Sequence, residues 1–152
     1  MSNTIRIAIA ADHGGYDLKE EIKTFTFDNL DIEWIDLGTH STESVDYPEY
    51  GYKIAEIIKK KDADRGIAIC GTGIGISIAA NRDPYIRSAV CTNADMARLA
   101  REHNDANILA LGARIIDRET AVACVETFLT TEFEGGRHER RVNKLSGGAH
   151  GT

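Results

Sequence analysis

Short apolar runs alternate with longer amphipathic segments along this chain, and that alternation restricts the possible folds more than any other feature. The apolar runs are continuous and rich in Ile, Ala and Val, as expected for strands that are covered on both faces. They lie at 5–11, 32–38, 65–70, 86–92 and 106–113. Strands that alternate with helices in this way predict a parallel sheet with helices on both faces.

The segments that follow the apolar runs carry apolar residues at helical spacing. Helices are therefore predicted within 14–29, 44–61, 74–82, 93–103 and 117–131, with Asp117 as the N-cap of the last. Because crossovers between parallel strands are right-handed, we expect a doubly wound, Rossmann-like three-layer α/β sandwich around a five-stranded parallel sheet. An extra C-terminal helix follows a Gly-Gly break within 133–146. We expect residues 1–146 to form a single domain and 147–152 a flexible tail.

The composition argues against several classes of partner and site. A net charge of -6 disfavours nucleic acid or an anionic membrane surface as the main partner. No apolar run approaches the ~20 residues that a membrane span needs. Three cysteines, an odd number without framework spacing, fit a reducing cytoplasm. No C-x-x-C pair or other metal-ligand spacing is present, so no metal is expected.

Three loops should lie where a doubly wound sheet binds ligands, at the carboxyl ends of the strands near the reversal of strand order. They are 12–15, 39–48 and 70–75. The last has glycine at every second position, which lets backbone N–H groups approach an anion or a developing oxyanion, although a tight strand-to-helix turn also explains it. It is not a P-loop or a tyrosine phosphatase loop, because Ile76 stands where those motifs have lysine or arginine, and its spacing is not a dinucleotide fingerprint.

Cys70 begins this glycine loop and differs from the other two cysteines. It is expected to face the ligand crevice beside a helix N-terminus, which favours the thiolate. Cys91 closes a strand and Cys124 lies on the apolar face of a helix, so both are expected to pack in or near the core. The sequence therefore makes Cys70 the candidate for chemistry.

Two other groups of polar residues are candidates for ligand binding. The stretch 102–107 carries His103 and Asn104 in a turn unusually dense in hydrogen-bonding side chains, although a polar helix end also explains part of it. Arg137 and Arg141 stand four apart on one helix face and form a fork suited to phosphate. A solvated charged face is the alternative interpretation of these arginines.

The motifs IAADHGG, DYPEY, ICGTGIGISIAAN, REHNDANILALGAR and EGGRHERRV occur in this order over almost the whole chain. In these motifs the chain resembles ribose-5-phosphate isomerase type B and the related galactose-6-phosphate isomerase subunits. The resemblance implies an enzyme that interconverts an aldose phosphate and its ketose without metal or cofactor, as a homodimer or a dimer of dimers. A second branch of that family has glutamate where Ile76 stands and lacks the cysteine, so the resemblance is to the thiol branch.

Carried over position by position, the resemblance implies that Cys70 is the base that moves a proton between C1 and C2. It implies that His103 opens the furanose ring. The sugar contacts implied are Asp12, His13 and Asn104, with Tyr47 and Thr72 in support. The loop residues implied to hold the enediolate oxygens are Gly71, Thr72, Gly73, Ile74 and Gly75. The phosphate-binding positions implied are Arg114, Arg137 and Arg141.

The predicted topology separates the two catalytic candidates. Cys70 ends a strand at the carboxyl edge of the sheet, whereas the helix that carries His103 returns to the amino edge. We therefore expect a two-fold dimer in which each active site takes Cys70 from one chain and His103 from its partner. Substrate length stays open, so a hexose 6-phosphate or a tetrulose 4-phosphate is an alternative. A phosphosugar-binding regulator needs neither group, and a thiol redox protein would need a resolving cysteine near Cys70.

Overall fold

A computed structural model describes residues 4–146 of the chain. The five strands are β1 (Thr4–Ala11), β2 (Asp31–Asp36), β3 (Arg65–Cys70), β4 (Ser88–Val90) and β5 (Ile108–Gly112). The six α-helices are α1 (Tyr16–Thr24), α2 (Tyr47–Lys59), α3 (Ile74–Ala80), α4 (Ala94–Asn104), α5 (Arg118–Thr130) and α6 (Arg137–Leu145). A single 3-10 turn, His13–Gly15, joins β1 to α1. The predicted alternation of strands and helices is confirmed.

The sheet is parallel throughout, with strand order β2-β1-β3-β5-β4. Apolar side chains from α1, α4 and α5 pack on one face of the sheet, and those from α2 and α3 pack on the other. The central strands are covered on both sides, so all five residues of β5 are buried. The predicted three-layer, doubly wound α/β sandwich is therefore confirmed.

Helix α1 and strand β4 are much shorter than the sequence pattern predicts, and β5 covers Ile108–Gly112 rather than 106–113. Helix α1 ends at Thr24 rather than near residue 29. Phe25 adopts an extended backbone, and the buried Phe27 packs into the core with the two rings 6.4 Å apart. Strand β4, at one edge of the sheet, pairs with β5 over three ladder positions instead of the seven predicted.

The C-terminal part agrees with the predicted pattern. Asp117 caps α5 by accepting a hydrogen bond from the backbone N–H of Thr120 (2.8 Å). Helix α6 begins after Gly135 and Gly136, both at positive φ, and packs against α4. The predicted tail, 147–152, lies outside the described residues, as do residues 1–3. Within 4–146 no helix combines the length and apolar character needed to cross a bilayer.

Candidate active site

The order of the strands places a crevice between the ends of β1 and β3. From β1 the chain moves outward to β2 in one direction and then returns to β3 on the other side, so the strand order reverses at this pair. Helices α1 and α2, which follow β1 and β2, lie on opposite faces of the sheet. Ligand sites in open parallel sheets form at such a reversal, beyond the carboxyl ends of the strands.

The loop after β1 is held by the buried carboxylate of Asp12. Its Oδ1 accepts a hydrogen bond from the N–H of Gly15 (3.1 Å), and its backbone N–H donates to the carbonyl of Ile69 in β3. Asp12 therefore ties its loop to the neighbouring strand. His13 is half-buried, and its Nδ1 accepts a hydrogen bond from the backbone N–H of Val45 (3.1 Å). The neutral ring thus carries its proton on Nε2 and can present it to a ligand.

The loop after β3 is built around the thiol of Cys70. Its Sγ lies 3.2 Å from the backbone N of Gly73, which donates a hydrogen bond to it. Gly73 has φ of 80°, a left-handed conformation that other residues rarely adopt, so glycine is what allows the chain to fold back over the sulfur. Cys70 is buried with 4% of its surface exposed, which is deeper than an open loop edge would place it. In this structure the backbone N–H of Gly73 is therefore hydrogen-bonded to the Cys70 sulfur.

Tyr47 and Arg114 close over the glycine loop from two sides. A Cβ at Gly75 would lie 2.5 Å from the ring of Tyr47, so the aromatic side chain sits directly on the glycine. A Cβ at Gly71 would lie 3.3 Å from Nη1 of Arg114, which places the guanidinium beside the start of the loop. Arg114 is exposed, and its guanidinium forms no hydrogen bond or ion pair with any residue in 4–146. An unpaired guanidinium beside backbone glycines is suited to a phosphate or carboxylate.

The three loops selected from the sequence do converge. A Cβ at Gly14 would lie 3.5 Å from the backbone N of Gly71, so the first and third loops touch. The second loop joins them through Val45, which bonds His13, and through Tyr47 on Gly75. The structure thus gathers ten of the predicted site residues at one edge: Asp12, His13, Tyr47, Cys70, Gly71, Thr72, Gly73, Ile74, Gly75 and Arg114.

Four other predicted site residues lie elsewhere. His103 and Asn104 form the end of α4, just before β5 begins at the amino edge of the sheet, and Arg137 and Arg141 lie on α6. In β5, Ile108 lies at the amino edge of the sheet and Gly112, paired with Cys70, lies at the carboxyl edge. These two residues are four positions apart, so the edges are separated by about 13 Å along the strand. The single chain therefore separates its predicted site residues into two clusters.

Much of the polar turn at 102–107 has a structural role. Asp105 accepts hydrogen bonds from Arg101 and Arg87, and Asn107 bridges to the backbone of Tyr85 and Arg87. These contacts join the starts of β4 and β5. His103 and Asn104 make no side-chain hydrogen bond with any residue in 4–146. The side chains of His103 and Asn104 therefore differ from the other polar side chains of the turn, whose hydrogen bonds give them a structural role.

Sequence reasoning missed a contact on this side of the molecule. The ring of His103 stacks on that of His138, with centroids 4.3 Å apart and planes at 15°. Nε2 of His138 in turn lies 3.4 Å from Oε1 of Glu134. The sequence places His138 next to the two arginines of the predicted helix. Glu134 lies before the Gly-Gly break and outside that helix, so helical spacing does not predict that it meets His138.

The other two cysteines are buried, as predicted. Burial raises the pKa of the Cys91 thiol to about 12, with a smaller contribution from the nearby Cys124. Burial likewise raises the pKa of Cys124 to about 11. Both thiols therefore stay protonated at neutral pH. From the described part of the chain, 4–146, neither sulfur receives a backbone N–H, in contrast to that of Cys70.

The fold and this edge define an α/β protein that presents a thiol and a glycine loop at the reversal of strand order. A family model described as Ribose/Galactose Isomerase matches residues 7–145. The chain is 44% identical over 141 residues to Ribose-5-phosphate isomerase B of Escherichia coli K12, covering 93% of this chain and 94% of that protein. The chain belongs to the ribose/galactose isomerase family and is an isomerase.

Solved structures agree with this assignment. Ribose-5-Phosphate Isomerase B of Clostridium thermocellum is 54% identical, with a TM-score of 0.88 over 97% of this chain and 99% of that one. A ribose 5-phosphate isomerase of Thermotoga maritima is 52% identical, with a TM-score of 0.87 over 93% and 97% of the two chains. The fold and the family are therefore supported by both sequence and structure.

Proposed function

We propose that this isomerase interconverts ribose 5-phosphate and ribulose 5-phosphate through an enediolate. The observation that carries the proposal is the Cys70 thiol, which accepts the Gly73 N–H inside a glycine loop at the ligand crevice. The names of the relatives from Escherichia coli and Clostridium thermocellum support this substrate. Three free cysteines support a reducing, cytoplasmic setting.

Proton transfer is the step that Cys70 performs in this proposal. A proton on the carbon next to a carbonyl is weakly acidic, so its removal needs a base at that carbon and donors at the oxygen that becomes negative. The Cys70 sulfur, which accepts the Gly73 N–H, takes the proton and returns it to the neighbouring carbon. Backbone N–H groups of the glycine loop stabilise the enediolate oxygens, and Asp12 and His13 position the sugar.

In this proposal, three arginines bind the phosphate group of the substrate. Arg114 borders the glycine loop, and Arg137 and Arg141 are exposed on α6. None of the three makes an ion pair or a side-chain hydrogen bond within 4–146. Guanidinium groups that are free of internal partners keep their donors available for the planar recognition of a phosphate.

Ring opening requires a second acid/base group, and His103 of the same chain lies at the opposite edge of the sheet. We therefore propose that His103, Asn104, Arg137 and Arg141 are supplied by a second copy of the chain. A two-fold dimer forms two equivalent sites. Each chain contributes its glycine loop to one site and these four residues of α4 and α6 to the other.

An exposed apolar surface supports that dimer. Strand β4 is an open edge of the sheet, and α3 packs beside it on one face. Ile74 and Ile78, one turn apart on α3, are 55% and 54% exposed. On the other face, Met96 and Leu99 of α4 are also exposed. Since Ile74 belongs to the glycine loop itself, a partner that covers this surface reaches the Cys70 site.

The proposed function is tested by aldose–ketose conversion with a chelator present. The substrates are ribose 5-phosphate, galactose 6-phosphate, allose 6-phosphate and a tetrulose 4-phosphate. We expect the highest kcat/KM on ribose 5-phosphate. Cys70→Ala should lower kcat by at least about 1000-fold while ligand affinity changes little, because a base acts in the transition state.

Cys124→Ala is the matched control, because it removes a thiol that lies in the core, away from the crevice. It should keep kcat, although it lowers stability by about 1 kcal/mol. Conversion by Cys70→Ala at the parent rate would refute the thiol mechanism. A preference for a hexose phosphate would change the substrate but leave the mechanism in place.

A further inference from the structure

A cluster of two imidazoles and a carboxylate lies at the end of α4, away from the glycine loop. The ring of His103 stacks on His138, and His138 faces Glu134. One nitrogen from each ring and one carboxylate oxygen all lie within 4.8 Å of one another. Imidazole and carboxylate are the ligand types that zinc prefers when no thiolate is present.

One pair of these ligand atoms is already spaced as in a metal site. In a tetrahedral zinc centre with bonds of 2.0–2.2 Å, two ligand atoms stand about 3.4 Å apart. Nε2 of His138 and Oε1 of Glu134 already stand 3.4 Å apart. The nitrogen lone pairs lie in the ring planes, and these planes are 15° apart in the stack, so the half-buried His103 ring must rotate out of the stack to bind the same ion as His138.

The backbone holds the three ligands together. The N–H of Glu134 donates to the carbonyl of Glu102, the residue before His103, at 3.1 Å. Gly135 and Gly136, both at positive φ, then turn the chain so that His138 follows in the first turn of α6. His138 is 7% exposed, so its ring is fixed by packing, whereas the side chain of Glu134 is 51% exposed and can adjust to an ion.

From this cluster we infer that His103, Glu134 and His138 form a site for a divalent transition-metal ion such as Zn²⁺, and that the bound ion inhibits the isomerase. Metal binding rests on the three side chains alone. The inhibition rests on the proposed function, because an ion bound to the ring of His103 removes the nitrogen that would open the sugar ring. Water or the substrate's own oxygen completes the fourth coordination position.

Binding is tested with Zn²⁺ by calorimetry and with Co²⁺ by visible absorption. The Cys70→Ser background is used, because a thiolate is itself a zinc ligand. We expect about one ion per chain and the absorption of a nitrogen- and oxygen-ligated Co²⁺ without a thiolate band. Glu134→Gln should weaken binding at least about tenfold, as expected when one metal ligand is lost.

Glu132→Gln is the matched control, since it removes an exposed carboxylate two residues away that does not belong to the cluster. His138→Gln should also weaken binding, with thermal melting used to show that the variant is folded. Equal affinity in Glu134→Gln and Glu132→Gln, or no binding by the Cys70→Ser protein, would overturn the metal site.

Inhibition is measured separately on the chain with Cys70 intact. Zn²⁺ should inhibit ribose 5-phosphate isomerisation with a midpoint equal to the measured Kd, and a chelator should restore activity. Glu134→Gln should need at least about tenfold more Zn²⁺ than Glu132→Gln. An unchanged midpoint in Glu134→Gln would overturn the inhibitory role. Because binding is measured without turnover, failure of the proposed function would leave that result unaffected.

Discussion

The three cysteines of this chain differ in what surrounds each sulfur. Cys70 accepts a backbone N–H in the loop after β3, whereas Cys91 and Cys124 lie among the apolar side chains of one core layer. Those surroundings raise the pKa of Cys91 to about 12 and that of Cys124 to about 11, chiefly by burial. A thiolate reacts with alkylating agents and a thiol does not. The cysteines should therefore differ in reactivity although all three are buried.

Iodoacetamide at pH 8 should label Cys70 in the folded protein and leave the other two unlabelled. With pKa values near 12 and 11, only about one in ten thousand and one in a thousand of the other sulfurs are thiolates at that pH. Peptide mass spectrometry measures the sites, and ribose 5-phosphate should protect Cys70. Native labelling of Cys91 or Cys124 at a rate similar to Cys70 would contradict the expectation.

A charged network joins α1 to the end of β2. Lys19, which is fully buried, donates from Nζ to Asp36 at 2.7 Å and to Glu20 at 2.6 Å. Asp36 also accepts hydrogen bonds from Lys23 and from the N–H of Gly38. Burial alone would raise the pKa of Asp36, but the hydrogen bonds from the lysines and Gly38 outweigh it and lower the pKa to about 2. The charged network that joins α1 to β2 therefore requires Asp36 to be ionised.

Asp36→Asn should destabilise the fold by about 3 kcal/mol at pH 7, because it leaves the buried Lys19 short of a negative partner. Glu33→Gln, an exposed carboxylate on the same strand, should change stability by less than about 0.5 kcal/mol. Urea unfolding measures both. An Asp36→Asn protein as stable as the Glu33→Gln control would show that the network contributes little.

The same network predicts how stability depends on pH. A carboxyl group whose pKa is lowered on folding adds stability above its unfolded pKa of about 3.9, and this contribution is lost as the pH falls towards 2. The parent protein should therefore lose more stability than Asp36→Asn between pH 5 and pH 2.5. Parallel losses in the two proteins would contradict the lowered pKa.

The two clusters of predicted site residues lead to a test of the proposed dimer. Cys70→Ala and His103→Ala homodimers should each be impaired. Equal mixing by unfolding and refolding makes half of the dimers hybrid, and each hybrid has one site with both groups and one with neither. Activity should then recover to about a quarter of the parent's. No recovery, with hybrid dimers shown to be present, would refute the shared site.

A second mixture serves as the control. The double variant Cys70→Ala/His103→Ala is refolded with an equal amount of the parent chain. If sites are shared, every hybrid site lacks one group, so activity falls to about a quarter of that of the parent dimer. If each chain holds a complete site, half of the activity remains.

Features that depend on neighbouring residues in the chain were predicted correctly. The N-cap at Asp117, the bounds of β3 and the three loops of the crevice follow from local pattern and the general geometry of parallel sheets. The end of α1 and the length of β4 did not follow. Phe27 leaves the helix to fill the core, and β4 pairs with β5 over three residues only. Neither tertiary contact is visible in the local sequence.

The sequence by itself determined the fold class and the residues of the glycine loop, because periodicity and glycine spacing are local properties of the chain. Tertiary structure decided which distant residues meet. It showed that Asp105 and Asn107, before β5, both accept hydrogen bonds from Arg87, before β4. It also showed that His103 stacks on His138, which contacts Glu134. Contacts between residues about thirty positions apart depend on how α4 and α6 pack, and no spacing in a linear sequence records that packing.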